Sequence, residues 1–268
     1  MSPICAVRRF AVFAVAVLFA CDALAAIGTV QFVYGEVRIR DAAGTVRAAK
    51  KGDAINEGEA ILTGSVASAQ LKMSDGGILA IRPETELKLD IYRYFGKQDG
   101  TENAVMSLVR GGFRAITGFI GQSNRNNYQI KAGTATIGIR GTDHEPFVVL
   151  PALPGAPPPI APPGAYDKVN VGEAYISGPL GTVNVGPNQV GYAGPSAPPA
   201  ILPVAPAFFK VTPPIRTAVA TPATATSATT TSTTTAEVRE SAIVENTATL
   251  AAPTTAAVDT TTTTTTTT

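Results

Sequence analysis

The chain has 268 residues, with 21 Lys and Arg against 20 Asp and Glu for a formal net charge of +1. It therefore builds no field strong enough to name nucleic acid or an anionic membrane surface as partner. Two cysteines and a single histidine leave little for disulfide or zinc chemistry, and about a third of the chain has a composition unable to fold, so one domain is expected.

In chain order, Arg8 and Arg9 precede an uncharged apolar run over residues 10–20, and Ala23-Leu24-Ala25 offers a small-x-small cleavage site. Residues 1–25 read as a signal peptide of the Sec type, giving a periplasmic or secreted product. The run is shorter than the ~20 residues a helix needs to cross a bilayer, so no transmembrane span is expected after its removal. Cleavage would take Cys5 and Cys21 with it and leave a cysteine-free chain. Leu18-Phe19-Ala20-Cys21 offers a less favoured lipoprotein route through Cys21, since Phe19 is bulky where a small residue is usual.

From residue 27 to 94 the sequence runs in short β-prone segments broken by Gly and Asp. Asp75-Gly76 predicts a hairpin between Gln70-Leu71-Lys72-Met73 and Ile78-Leu79-Ala80-Ile81. Over residues 86–93 the alternation places Leu87, Leu89 and Ile91 on one face and Lys88, Asp90 and Tyr92 on the other. The stretch GEVRIRDAAGTV at 35–46 returns as GEAYISGPLGTV at 172–183, sharing Gly-Glu, an isoleucine and Gly-Thr-Val at the same spacing. Two copies are too few for a free-standing solenoid, so the expectation is an all-β fold: a rolled, β-helix-like sandwich of short strands. Residues 150–165 hold seven prolines and should form an exposed loop. Strand patterning resumes over 166–192, and residues 195–268, ending in nine threonines, should form a disordered low-complexity tail.

Several stretches, in order, carry a resemblance. They are Gly35-Glu36-Val37; Gly52-Asp53 with Ile61-Leu62-Thr63-Gly64; Ser68-Ala69-Gln70-Leu71 through Asp75-Gly76-Gly77; Pro83-Glu84-Thr85-Glu86-Leu87; Arg110-Gly111-Gly112-Phe113-Arg114; and Ala135-Thr136-Ile137-Gly138-Ile139-Arg140-Gly141-Thr142. Residues 26–194 resemble the FecR family, in its exported, single-domain branch. The resemblance implies an all-β envelope domain, whose founding members pass an outer-membrane transporter's signal to a cytoplasmic sigma factor. Those regulators place a cytoplasmic segment and a spanning helix ahead of the domain, whereas here nine residues precede the apolar run. The expectation is thus a non-enzymatic binding, signalling or scaffolding module, with an envelope protein or glycan as partner, the alternative being a structural envelope protein tethered or extended by its Thr-rich tail.

Asp143-His144-Glu145 is the obvious candidate for chemistry. In a strand, Asp143 and Glu145 share one face and His144 points to the other, so at most two of the three could meet one ion. No metal, cofactor or catalytic residue is assigned. A catalytic triad would need an acid from across the fold, and nothing selects among Asp53, Asp75 and Asp90. Paired carboxylates of a glycan hydrolase remain an alternative because their separation is spatial. Tyr92, Arg93 and Tyr94 are a candidate ligand surface. Gly138, Arg140, Gly141 and Thr142 are read as a structural motif in which Arg140 spans a strand crossing and satisfies carbonyls or a carboxylate such as Glu36 or Asp75. On that reading Arg140→Lys lowers the melting temperature well beyond a surface change.

Overall fold

The structure, a computed structural model, describes residues 26–216 apart from Gln98, Asn124 and Thr142. The expected signal peptide with Cys5 and Cys21, and residues 217–268, lie outside the described residues. Among the described residues, seventeen strands form two layers around an apolar core. The first layer runs β4 (Ala54–Ile55), β1 (Gly28–Tyr34), β6 (Ser68–Met73), β7 (Ile78–Ile81), the end of β9 (Asn103–Ile116), β12 (Asp143–Val149), β13 (Gly164–Val171), β16 (Val190–Ala193) and β17 (Ala200–Ile201). The second runs β3 (Val46–Ala48), β2 (Val37–Arg40), β5 (Ala60–Thr63), β8 (Glu86–Arg93), the start of β9, β10 (Tyr128–Ala132), β11 (Ala135–Ile139), β14 (Ala174–Gly178) and β15 (Gly181–Val185). All pairings are antiparallel except β9 with β10. The chain passes back and forth between the layers, often as a hairpin at a time such as β10–β11, β12–β13, β14–β15 and β16–β17, so it coils as a rolled sandwich, as the repeat implied.

Alternation supplies the core. Ile39, Leu71, Leu87, Met106, Ile130, Ile137 and Ile176 point inward and are fully buried, each stabilising the fold by roughly 1.5–3 kcal/mol relative to exposure. The repeated stretch marks the places where the chain leaves the first layer for the second. Gly35 (φ 68°) and Gly172 (φ 83°) take the left-handed turn between β1 and β2 and between β13 and β14. The likeness extends to the return, since the amides and carbonyls of Val30 and Val169 exchange hydrogen bonds with Gly52-Asp53 and Asn188-Gln189 respectively. The hairpins themselves differ: Ile39 lies opposite Arg47, while Ile176 lies opposite Val183.

One strand belongs to both layers. β9 pairs with β8 and β10 up to Arg110 and with β7 and β12 from Gly111 onward. Gly111 (φ 72°) makes the crossing. A Cβ there would sit 2.5 Å from Thr85 Oγ1, and one on Gly112 would sit 2.4 Å from the Phe147 ring. Only glycine fits either place. The buried Thr85 hydroxyl fastens the crossing by donating to Gly112 O (2.9 Å) and accepting from Gly112 N (3.0 Å).

Two expectations need correction. The strict alternation over β8 fails because the pairing with β9 shifts between Leu89 and Ile91. Asp90 is the extra residue of a β-bulge, so Tyr92 swings into the core, where it is 4% exposed. The chain also does not become unstructured at 195. After β17, residues 207–216 lie across the outer face of the first layer, with Phe209 buried against Val149, Tyr166 and Val190. The proline-rich stretch behaves as expected: its residues 150–163 form an open loop between β12 and β13.

Candidate functional site

Strand β12 splits the Asp-His-Glu triplet between two environments. Asp143 and Glu145 face outward into a charged network spread over adjacent strands of the first layer. Arg114 on β9 grips Asp143 with both arms of its fork, Nε to Oδ1 at 2.8 Å and Nη2 to Oδ2 at 2.5 Å. Glu145, fully buried, pairs with Arg82 just past β7 and with Lys168 Nζ on β13 at 3.1 Å. Asn170 Nδ2 donates to both carboxylates, at 3.2 Å to Asp143 and 3.1 Å to Glu145. The strap of residues 207–216 closes the network from above, Thr212 Oγ1 donating to Glu145 at 2.8 Å.

Electrostatics fixes what this pair of carboxylates can do. Burial alone would raise the Glu145 carboxyl, but hydrogen bonds from Asn170 and Thr212 and the charge of Arg82 outweigh it and hold the group below its ordinary range. Asp143 is likewise lowered, burial being overcome by the hydrogen bonds of Arg114 and Asn170 and by the Arg114 charge. A glycosidase needs one carboxyl kept protonated near neutrality as general acid. Both groups here are driven to the ionised state and saturated with donors, which suits a clamp and opposes that chemistry.

His144 faces inward. Its Nδ1 lies 2.9 Å from Asp167 Oδ1 on β13, both side chains being fully buried, and its ring meets Tyr128 edge-on at 6.3 Å. Asp75, in the β6–β7 hairpin, completes the interior polar cluster: its Oδ1 accepts from Tyr92 OH (2.7 Å) and Gly77 N (2.9 Å), and its Oδ2 from Ile120 N (3.2 Å). Burial, then the charges of Asp75 and Asp167, push the Tyr128 hydroxyl far above its usual range. His144 thus has an acid from across the fold, but it is Asp167, which was not among the acids weighed from sequence. Residue type carried no signal for it; only the register of β12 on β13 does. Among the described residues no group of three or more His, Cys, Asp or Glu is placed to hold a metal ion.

The structural motif divides. Gly138 lies beneath the Tyr175 ring of β14, which a Cβ would approach to 2.2 Å and push aside. Gly141 takes φ 70°, and Thr142 lies outside the described residues. Arg140 is exposed and meets neither Glu36 nor Asp75. Its partner is Glu173, 3.4 Å away, both side chains being more than half exposed at 54% and 60%. Of the expected ligand surface, Tyr92 is interior, while Arg93 is exposed 3.7 Å from Glu57 and Tyr94 packs on Phe119 at 5.4 Å. The residues missed were Arg82, Arg114, Lys168 and Asn170, which are spread from 82 to 170 and meet only through strand order.

Residues 59–148, which run from β5 into β12 and include Arg82, Arg114, Asp143 and Glu145, match the family model described as FecR protein. Over this segment the chain is similar to the FecR family. Two crystal structures of a candidate anti-sigma factor from Parabacteroides distasonis are similar to the chain at 12% identity and a TM-score of 0.38. Each alignment covers 53% of this chain and 57% of that protein. No curated protein matches the chain. The FecR segment contributes the layer crossing at Arg110-Gly111-Gly112 and most of the clamp, while Lys168, Asn170 and Thr212 come from beyond it. Among the described residues no helix is long and apolar enough to cross a membrane.

Proposed function

We propose that the chain is an exported, non-enzymatic FecR-like module of the cell envelope, acting by binding, signalling or scaffolding toward an envelope protein or glycan without itself contacting a sigma factor. The FecR match over residues 59–148 carries this reading. The state of the ionisable groups supports its non-enzymatic part: Asp143 and Glu145 are clamped as anions, and His144 and Asp167 are sealed in the core. The N-terminal basic and apolar pattern of residues 8–25 supports export.

Cell fractionation with N-terminal sequencing tests it, together with a sigma-dependent transcription reporter in a strain lacking the chain. The expected product starts at Ala26, lies in the periplasm or medium, and leaves the reporter unchanged when deleted. Full-length chain held in the cytoplasm, or a reporter that collapses on deletion, would sink the proposal.

A further inference from the structure

The strap is held in an unusual way for a piece of a β-sandwich. Side chains of the first layer donate to its backbone carbonyls: Arg82 Nη1 to Phe208 O (3.1 Å) and Nη2 to Val211 O (3.0 Å), and Arg114 Nη1 to Pro213 O (2.9 Å). Gln70 acts as a surrogate strand, its Nε2 donating to Arg216 O (2.7 Å) while its Oε1 accepts from Arg216 N (2.8 Å). Pro213 and Pro214 have no N–H and could not join a ladder, so their extended backbone offers acceptors only. Aromatic and cationic side chains anchor the ends, and Thr212 reaches Glu145 and Lys168 between them. Phe208 stacks on Phe147 with centroids 4.2 Å apart, Phe209 fills the pocket beside Val149 and Tyr166, and the Arg216 guanidinium lies 4.1 Å over the Phe32 ring. Between them Val211 is 74% exposed. Aromatic anchors, an extended proline segment and carbonyls taken by fixed donors are the features of a peptide groove with its peptide bound.

We infer that residues 207–216 are a docked and exchangeable segment, and that in trans the groove takes the same segment from a second copy of this chain. The identity of the occupant follows from the seat. Phe-Phe occurs once in the sequence and is followed by Pro-Pro four residues later, so only another copy brings every contact unchanged. The segment is joined to β17 through residues 202–206, of which 203–205 are exposed and Pro203 and Pro206 keep the connection extended. Reciprocal exchange through such a connection costs no contact made in the single chain. The inference gives the scaffolding part of the proposed function a partner, and rests on that reading only in this respect.

Cysteine trapping tests it in the full chain with Cys5 and Cys21 replaced by serine. One preparation carries Phe147→Cys and a second, differently tagged, carries Phe208→Cys; a third carries both. Mixing the first two and oxidising should give a tagged heterodimer whose yield rises several-fold with a tenfold increase in concentration, by mass action. An internal disulfide in the third preparation with no heterodimer from the mixture at any concentration overturns the proposal. Should the cysteines disturb the seat, light scattering of the chain without them decides: a dimer population lost in the Phe208→Ala/Phe209→Ala variant supports exchange, and a monomer at all concentrations overturns it. Failure here leaves export and the sigma reporter unaffected, so the two readings fall separately.

Discussion

His144 shows how far a single residue can be read. Its rarity drew attention to it, and the alternation of its strand correctly set it against Asp143 and Glu145, but its partner came from a register the sequence does not display. Removing it leaves the Asp167 carboxylate buried with its ring partner gone. His144→Ala should therefore cost about 3 kcal/mol or more in chemical denaturation, with the chain still monodisperse at low denaturant. Arg140 teaches the opposite lesson. Between Gly138 and Gly141 it had the look of a crossing residue, yet its pair with Glu173 lies in water. Arg140→Lys should leave the melting temperature within the range of an ordinary surface change, because exposed ion pairs contribute little. Arg82→Lys is the informative contrast: a single ammonium cannot serve Glu145 and two strap carbonyls together, and a loss of about 1.5–3 kcal/mol is expected in the same measurement.

At the level of elements, the two-residue period, the Asp75-Gly76 hairpin and the repeated Gly-Glu strands were legible because each depends on neighbours in sequence. The misreadings came from a bulge and from a strap. Nothing in Glu-Leu-Lys-Leu-Asp-Ile-Tyr-Arg announces that Asp90 will be passed over by β9, since the partner strand decides it. Composition likewise read residues 195–216 as part of the tail, although two phenylalanines and a set of waiting donors hold them in place. The layer crossing of β9 lies between these cases. Arg110-Gly111-Gly112 marks it in sequence, but the Thr85 hydroxyl that satisfies Gly112 on both sides is visible only in three dimensions. Thr85→Val keeps the shape and deletes the oxygen, stranding the buried Gly112 N–H while the Gly112 carbonyl keeps only the Arg82 N–H at 3.0 Å. A loss of about 1–3 kcal/mol is expected in urea unfolding, with hydrogen-exchange protection falling first at Arg110-Gly111-Gly112.

For the molecule as a whole, acid is the condition that finds its weak face. Asp143 and Glu145 titrate lower in the folded chain than in the unfolded one. Their contribution is therefore complete above the unfolded carboxylate range near pH ~4 and is lost as pH falls through the folded values. The melting temperature should hold steady on acidification to about pH 5 and drop below about pH 4. Glu145→Gln should melt lower at neutral pH and lose part of that slope. The clamp joins β7, β9, β12, β13 and the strap, so the strap should loosen with it, seen as protease cleavage between 203 and 216 appearing before the sandwich opens.

Strand β9 also sets a schedule. Strands β1 to β8 can pair among themselves in two layers as soon as they leave the ribosome or the export channel, whereas β10 and β12 have β9 as their link to what came earlier. The later strands also pair among themselves, β10 with β11 and β12 with β13, but they join the earlier half through that one strand, laid down and bent at Gly111. A chain weakened in β9, as by Met106→Ala, should refold more slowly in stopped-flow measurements and dwell with its second half undocked from the first. In the interval, that half offers open strand edges to its neighbours, and aggregation is the cost of making one strand the hinge pin of two sheets.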